Sequence, residues 1–321
     1  MPTEHHMEPT KVYYTYGPLP PALTVRSGDR VTTSTVDARN WNKDREQIPG
    51  NMRQSDPNTQ LRDGNPQNGP IYIEGAELGD TLAVHILDIR LNRKWGWSAQ
   101  TPGFGGLVVE SRFNGPTGLN EPIPQMTYEY ELDLDRMVGR IDLPNSRVKR
   151  LEIPLNPFLG CIGVAPRWGQ TIFSMAPSEH GGNLDCPEVR VGTTVYLPVW
   201  VRGAYLMLGD VHAAQGEGEI CGSAVEATAD VAVEVNVIKG KPIHWPRLED
   251  AERIMAIGAT RPLIDAFRIA HVELIDWLVA DYGFDRWDAL QMVSQLGTAR
   301  IGNVVDPFYT VVAGYPKKYL P

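Results

Sequence analysis

Val225-Glu226-Ala227-Thr228-Ala229-Asp230-Val231-Ala232-Val233-Glu234-Val235-Asn236-Val237-Ile238 is the stretch that decides the architecture. Val225, Ala227, Ala229, Val231, Val233, Val235 and Val237 recur at a period of two, and Glu226, Thr228, Asp230, Glu234 and Asn236 fall between them. Side chains of an extended chain point alternately to opposite faces. The pattern therefore predicts one long antiparallel strand with its apolar face on a core and its polar face outward. Further strands are expected around it. Residues 31–36 follow a Ser27-Gly28-Asp29 turn, residues 70–73 lead to Gly75, and residues 81–89 alternate Leu82, Val84 and Ile86 against Ala83, His85 and Leu87 after a Gly79-Asp80 turn. Residues 196–200 and 204–208 read as two strands turning at Arg202 and Gly203. The 26 prolines and 31 glycines cut the first three quarters of the chain into short segments, as a turn-rich β protein requires.

Helical spacing appears late. Pro262 stands at a first helical position, and Leu263, Ala266, Phe267, Ala270, Leu274, Trp277 and Leu278 recur at intervals of three and four up to a stop at Gly283. Asp285 caps a second helix carrying Leu290, Met292 and Val293 and ending near Gly297. The expected class is α+β, predominantly β with sandwich- or barrel-like sheets, with a helical segment near the C-terminus. One catalytic chain over residues 1–321 is expected, built as two intertwined β subdomains at about 1–160 and 161–321. Residues 40–68 and 96–121 are polar or glycine-rich with little periodicity, which suits functional loops or an oligomer contact.

Composition narrows the function classes. The chain has 321 residues, 42% hydrophobic and 21% charged, within ordinary globular usage. A net charge of −9 argues against nucleic acid as the main partner, because phosphate binding needs a basic face. No apolar run approaches a membrane span and no signal peptide is visible. Three cysteines, Cys161, Cys186 and Cys221, leave one unpaired in any scheme, which suggests reduced thiols. A soluble cytoplasmic protein is expected.

Two segments gather the polar residues that chemistry needs: Glu179-His180-Gly181-Gly182-Asn183-Leu184-Asp185-Cys186, and Gly209-Asp210-Val211-His212-Ala213-Ala214-Gln215-Gly216-Glu217-Gly218-Glu219-Ile220-Cys221-Gly222. Each sets a histidine near carboxylates in glycine-rich backbone. Asp210 and His212, two apart, share a face if the chain is extended. Imidazole with carboxylates suits zinc or a similar divalent ion with open positions, and such an ion both lowers the pKa of water and polarises a carbonyl. The same residues admit other readings. A His with an Asp two positions away is commonly a local hydrogen-bonded pair. Cys221 beyond Glu219 could be a nucleophile for metal-independent amide cleavage, although a lone cysteine is commonly a small buried hydrophobe. His85 reads as a sheet residue, His244 as a loop residue, His271 as partly exposed, and His5 and His6 as part of a disordered terminus.

The segment 209–222 resembles the signature of the acetamidase/formamidase family almost throughout. Supporting matches are Gly69-Pro-Ile-Tyr-Ile-Glu-Gly-Ala-Glu-Leu-Gly-Asp80, His180-Gly-Gly-Asn-Leu-Asp185 and Val304-Val-Asp-Pro307. The resemblance runs from about residue 25 to the end. It implies hydrolysis of short aliphatic amides to carboxylate and ammonia, a β-rich fold, a homo-oligomer, and a divalent metal near the His and Asp residues. Asp210, His212, His180 and Asp185 are the expected ligands, with Asp37 as a further candidate. Glu219 is the expected base, with Asp210 and His212 as its catalytic companions. Backbone N–H groups around Gly181, Gly182 and Gly216 are candidates for an oxyanion site. The metal stays open among Zn, Ca, Mg and Mn. Residues 51–65 and the 95–97 loop depart from the family pattern and would shape a pocket for an amide larger than formamide or acetamide. A non-catalytic small-molecule-binding β protein is the remaining alternative.

Overall fold

The run at 225–238 serves two sheets. A computed structural model describes residues 2–54, 63–108 and 123–321, so parts of the two irregular stretches lie outside the described residues. The predicted long strand divides at Thr228. Val225–Ala227 pairs with Leu206–Ala214 and Trp95–Gln100 in one sheet, and Ala229–Ile238 lies between Arg30–Ser34 and Thr81–Leu91 in another. Among the described residues the strands form sheets of nine and twelve members and one two-stranded ribbon. Both large sheets draw strands from either side of residue 160. The main apolar core takes residues from both, among them Val84, Ile86, Val233, Leu159, Leu208 and Val211.

The expected turn at Arg202 and Gly203 is corrected. Thr194–Pro198 belongs to the nine-stranded sheet and Leu206–Ala214 to the twelve-stranded one, so the chain there crosses between sheets instead of forming a hairpin. Gly203, Ala204 and Tyr205 all have left-handed backbone (φ 86°, 55° and 57°), which swings the chain across. Residues 95–97 are likewise not a loop. They open the strand Trp95–Gln100, paired on both edges. Glu4–His6 is a short strand beside Arg30–Ser34, anchored where Thr3 N donates to Asp29 Oδ1 and His5 Nε2 lies 3.0 Å from Asp29 Oδ2, so the terminal histidines are ordered.

The helices fall where spacing placed them, at Leu263–Tyr282 and Arg286–Leu296. Pro262 is the cap residue of the first, and Gly283 closes it in left-handed conformation. Asp285 caps the second, accepting from the backbone N–H groups of Trp287 and Asp288. The first helix buries Ala266, Ala270, Leu274 and Leu278 on the strands Arg253–Thr260 and Tyr309–Pro316. At Gly258 a Cβ would stand 2.2 Å from the Ala266 carbonyl, so the helix seats on backbone there. No helix among the described residues is long and apolar enough to cross a membrane.

Candidate active site

The strand Leu206–Ala214 is the spine of the site. One edge pairs with Phe158–Gly163. The other pairs with Gln67–Glu74 as far as Gly209 opposite Gln67, then with Val225–Ala227 from Val211 opposite Ala227. Asp210 sits where the partner changes, with φ 58°. Non-glycine residues seldom adopt this conformation, and they keep it where the surroundings over-determine it, often at functional sites. Its carboxylate thereby reaches His212, with Oδ2 3.5 Å from Nε2. Asp210 and His212 do meet, although Asp210 is not extended. His212 stands opposite Glu226 in the ladder, and directly opposed residues share a face. Glu226 Oε1 is 3.6 Å from His212 Nε2.

Two more carboxylates approach the same ring. Asp185, just past the strand Gly181–Asn183 and at φ 47°, places Oδ1 4.0 Å from His212 Nδ1. Glu219 closes the 3-10 turn Glu217–Glu219 at φ 49°. One ligand atom each from Asp185, His212 and Glu219 lies within 4.8 Å of the others, and the same holds for Asp210, His212 and Glu226. Gly160 forms the floor. A Cβ there would lie 2.8 Å from Asp185 Oδ1 and 2.9 Å from both Asp210 Oδ2 and His212 Cε1.

Amide side chains hold these groups in place. Asn183 Nδ2 donates to Asp185 Oδ2 at 2.9 Å and to Asp306 Oδ2 at 2.7 Å, while its Oδ1 accepts from Asn65 Nδ2 at 2.9 Å and from the Cys161 thiol at 2.7 Å. Asn65 Nδ2 also reaches Asp210 Oδ2 at 2.7 Å. Gln215 Nε2 donates to the carbonyls of Asp185 and Gly302, so its Oε1 is the atom 2.9 Å from His212 Nδ1. That oxygen can only accept. Nδ1 therefore carries a proton, and in the neutral ring Nε2 turns its lone pair toward Asp210 and Glu226.

Burial sets the electrostatics. It raises Asp185 and Glu219 well above the ordinary carboxylate range, with neighbouring carboxylates adding to the effect. Glu226 is pushed up to about 8 and Asp306 to about 7, in both cases chiefly by burial. For His212 burial opposes the charged ring, but Glu226 and Asp210 outweigh it and the value is raised well above the ordinary one. Five buried acids around one imidazole are costly to ionise together without a cation. Asp185 Oδ1, Asp210 Oδ1 and Glu226 Oε2 are buried with no hydrogen-bond partner. Carboxylates with unsatisfied buried oxygens, grouped with an imidazole within 4.8 Å, are a donor set that fits a divalent cation.

Over this floor opens a cavity of about 270 Å³, walled by Trp97, Ala99, Phe104 and Met175, with Arg39 lining it as well. Of the residues singled out from sequence, Asp185, Asp210, His212 and Glu219 come together. Asp37 does not join them. Its carboxylate is taken up by Arg93 at 2.9 Å, Trp97 Nε1 at 2.8 Å, and the backbone N–H groups of Arg39 and Trp41. His180 stays outside both ligand groups. It is buried edge-on against Tyr16, and burial lowers it to about 3, so the ring is neutral. Gly181 N–H is engaged by the Ser178 carbonyl, and Gly181, Gly182 and Gly216 do not line the cavity. Cys221 is exposed and lines a neighbouring groove with Tyr130 and Ile153, across the wall formed by Glu219 and Ser223. All three cysteines are free. His85 meets Thr194 across the sheet, and His271 bonds the Phe267 carbonyl.

Glu226, Asp306, Asn183, Asn65, Gln215 and Gly160 were not singled out from sequence. Asp306, Asn183 and Gln215 lie inside the segments that matched the family, which was the signal available for them. Glu226 was assigned to an outward face.

Comparison with known proteins identifies the family. The model of the acetamidase/formamidase family matches residues 5–170 and 169–316. The crystal structure of an acetamidase from Yersinia enterocolitica superposes with a TM-score of 0.84 at 41% identity, covering 100% of this chain and 94% of that one. An acetamidase of Mycolicibacterium smegmatis is 30% identical over 69% of this chain and 64% of its own length. A formamidase of Methylophilus methylotrophus is 30% identical over 54% of this chain and 51% of its own. The chain thus spans between about half and two thirds of the curated relatives it matches.

Proposed function

The chain belongs to the acetamidase/formamidase family, and on that premise we propose that it hydrolyses the C–N bond of a small carboxamide to a carboxylate and ammonia. The observation that carries the reading is the buried group around His212, in which Asp185, Asp210 and Glu226 each keep a buried carboxylate oxygen without a hydrogen-bond partner while Asp210 and Glu226 turn their other oxygens toward His212 Nε2. Asp210, His212 and Glu226 would hold a divalent cation, with Asp185 on the Nδ1 side of the ring and Glu219 in the second group with Asp185 and His212. Such a cation supplies a Lewis acid for the amide carbonyl and lowers the pKa of water. Zinc is the first choice, and the oxygen-rich donor set also admits Ca, Mg or Mn.

The chain's own residues supply the rest. Gln215 fixes the His212 tautomer, and Asn183 and Asn65 fix the directions of Asp185, Asp306 and Asp210. Glu219 takes the proton of the attacking water and returns it to the leaving nitrogen. Groups in this role contribute about a hundredfold to ten-thousandfold. Glu219→Gln should lower kcat by that order while metal content is retained, and full activity in the variant would remove Glu219 from the mechanism. A homo-oligomer and a cytoplasmic setting belong to the same proposal, and light scattering on the purified protein reads the first.

The test is ammonia release from formamide, acetamide, propionamide and benzamide before and after dialysis against a chelator. Activity that vanishes with the metal and returns on its addition supports the reading. Activity that survives complete removal overturns the metal, and silence toward every amide in a folded, metal-loaded sample overturns the amidase.

A further inference from the structure

Arg39 is built into the cavity as a fixed cation. Its backbone N–H donates to Asp37 Oδ1 at 2.9 Å, and its guanidinium Cζ lies 3.9 Å from the Trp97 ring centroid. Trp97 is itself pinned, because its Nε1 donates to the other oxygen of Asp37 at 2.8 Å and Asp37 is paired with the buried Arg93. One buried carboxylate thus positions both the backbone that carries the guanidinium and the ring on which it stacks. A group fixed in advance loses little freedom when it binds a ligand.

The charge of Arg39 is left unpaired by the described residues. Among the described residues it forms no ion pair, and its side-chain polar contact is a long one, 3.4 Å from Nη1 to Thr127 Oγ1. It is also the one lysine or arginine among the described residues that line the cavity. Trp97 is the ladder partner of Glu226, so the ring under Arg39 stands beside the carboxylate floor. The cavity is therefore bipolar, with acids around His212 on the floor and a guanidinium on the Trp97 wall. At 270 Å³ it has room for more than the few heavy atoms of formamide or acetamide, since one water needs only about 10–15 Å³ of such space.

We propose that this site takes a short linear amide whose far end carries a carboxylate, held by Arg39, with the amide group on the floor around His212. The inference rests on the amidase reading and goes beyond it in naming the substrate class. A planar guanidinium donates two parallel N–H···O bonds to a carboxylate. The acidic floor repels the same carboxylate, so one orientation of the substrate is selected.

The test compares succinamate, the monoamide of succinate, with butyramide, its neutral counterpart, in the metal-loaded enzyme and in Arg39→Gln and Arg39→Lys. In parallel, calorimetry follows binding of the products succinate and butyrate, which do not turn over. Hydrogen bonds to a charged group are worth about ten- to a hundredfold. The ratio of kcat/KM for succinamate over butyramide should fall by that factor in Arg39→Gln, the succinate-to-butyrate affinity ratio should fall in parallel, and Arg39→Lys should lie between. Ratios unchanged by either variant, or a wild-type enzyme that prefers the neutral members of both pairs, overturn the proposal. If no amide releases ammonia but succinate binding depends on Arg39, the amidase reading fails and the anion site stands.

Discussion

Glu226 and Glu234 occupy the same face of one alternating run, yet they live in opposite environments. Glu234 faces Arg30 across the ladder, and the hydrogen bond from that guanidinium holds its carboxyl below the usual range. Glu226 faces His212 on one side and Trp97 on the other, and burial pushes it up to about 8. Between them the chain changes sheets at Thr228, whose hydroxyl donates to Asn92 Oδ1 at 2.6 Å while its carbonyl accepts from Asn92 N–H. Period two tells which residues share a face. It does not tell what that face meets once the strand has moved to another sheet.

The largest effect expected from breaking this contrast is at the floor on which Glu226 acts. Gly160→Ala drives a methyl group against Asp185, Asp210 and His212, and a displacement of about 1 Å at such a centre costs on the order of a hundredfold in rate. Steady-state kinetics on acetamide should show that loss in kcat/KM. Next comes Glu226→Gln, which should weaken divalent-metal binding by at least about ten- to a hundredfold, read by titration against a competing indicator. The same change at Glu234 should leave metal affinity and activity as they are.

Stability against pH should separate the two glutamates by sign. Glu226 has its folded value raised from 4.5 to about 8, so the folded metal-free protein binds the extra proton between those values and loses stability as pH rises through them. His212, raised well above its ordinary value, acts in the same direction, because its contribution is lost as pH climbs through its folded value. The melting temperature of chelator-treated protein should therefore drop from pH 5 to pH 8, and Glu226→Gln should flatten the slope. A divalent cation should restore more at pH 8, where its ligands are ionised. Glu234, lowered in the fold, contributes above its unfolded value and loses that contribution as the medium turns acid. A smaller cost is expected at the crossing itself, where Thr228→Val leaves Asn92 Oδ1 without its donor, at about 1–3 kcal/mol in chemical denaturation. Smallest of all, Glu234→Gln should change stability by no more than about 1 kcal/mol, since a partly exposed pair with Arg30 is worth little.

What the sequence made legible was local. The helices showed through their spacing, with Asp285 and Gly283 in the roles their chemistry suits. Asp210, His212, Asp185 and Glu219 stood out because two short segments held them. The groups that complete the site depend on pairings distant along the chain. Asn65 reaches Asp210 and Asn183 through contacts that no local pattern encodes, and Asp306 arrives from beyond both helices to meet Asn183. Asp37 was a reasonable candidate as a carboxylate in a β segment, but Arg93 and Trp97 claim it, and neither pairing has a local signature. The crossing at Gly203 was misread because a turn and a crossover between sheets use the same left-handed residues.

The central claim is that the buried acids around His212 exist to hold a divalent cation on which amide hydrolysis depends. Elemental analysis of the purified protein alongside Glu226→Gln, with ammonia release measured on the same samples, tests it most directly. The account predicts at least about one divalent ion per wild-type chain, a marked loss in the variant, and activity that follows the metal content of each sample. A folded wild-type protein that binds no divalent ion and still releases ammonia would contradict it.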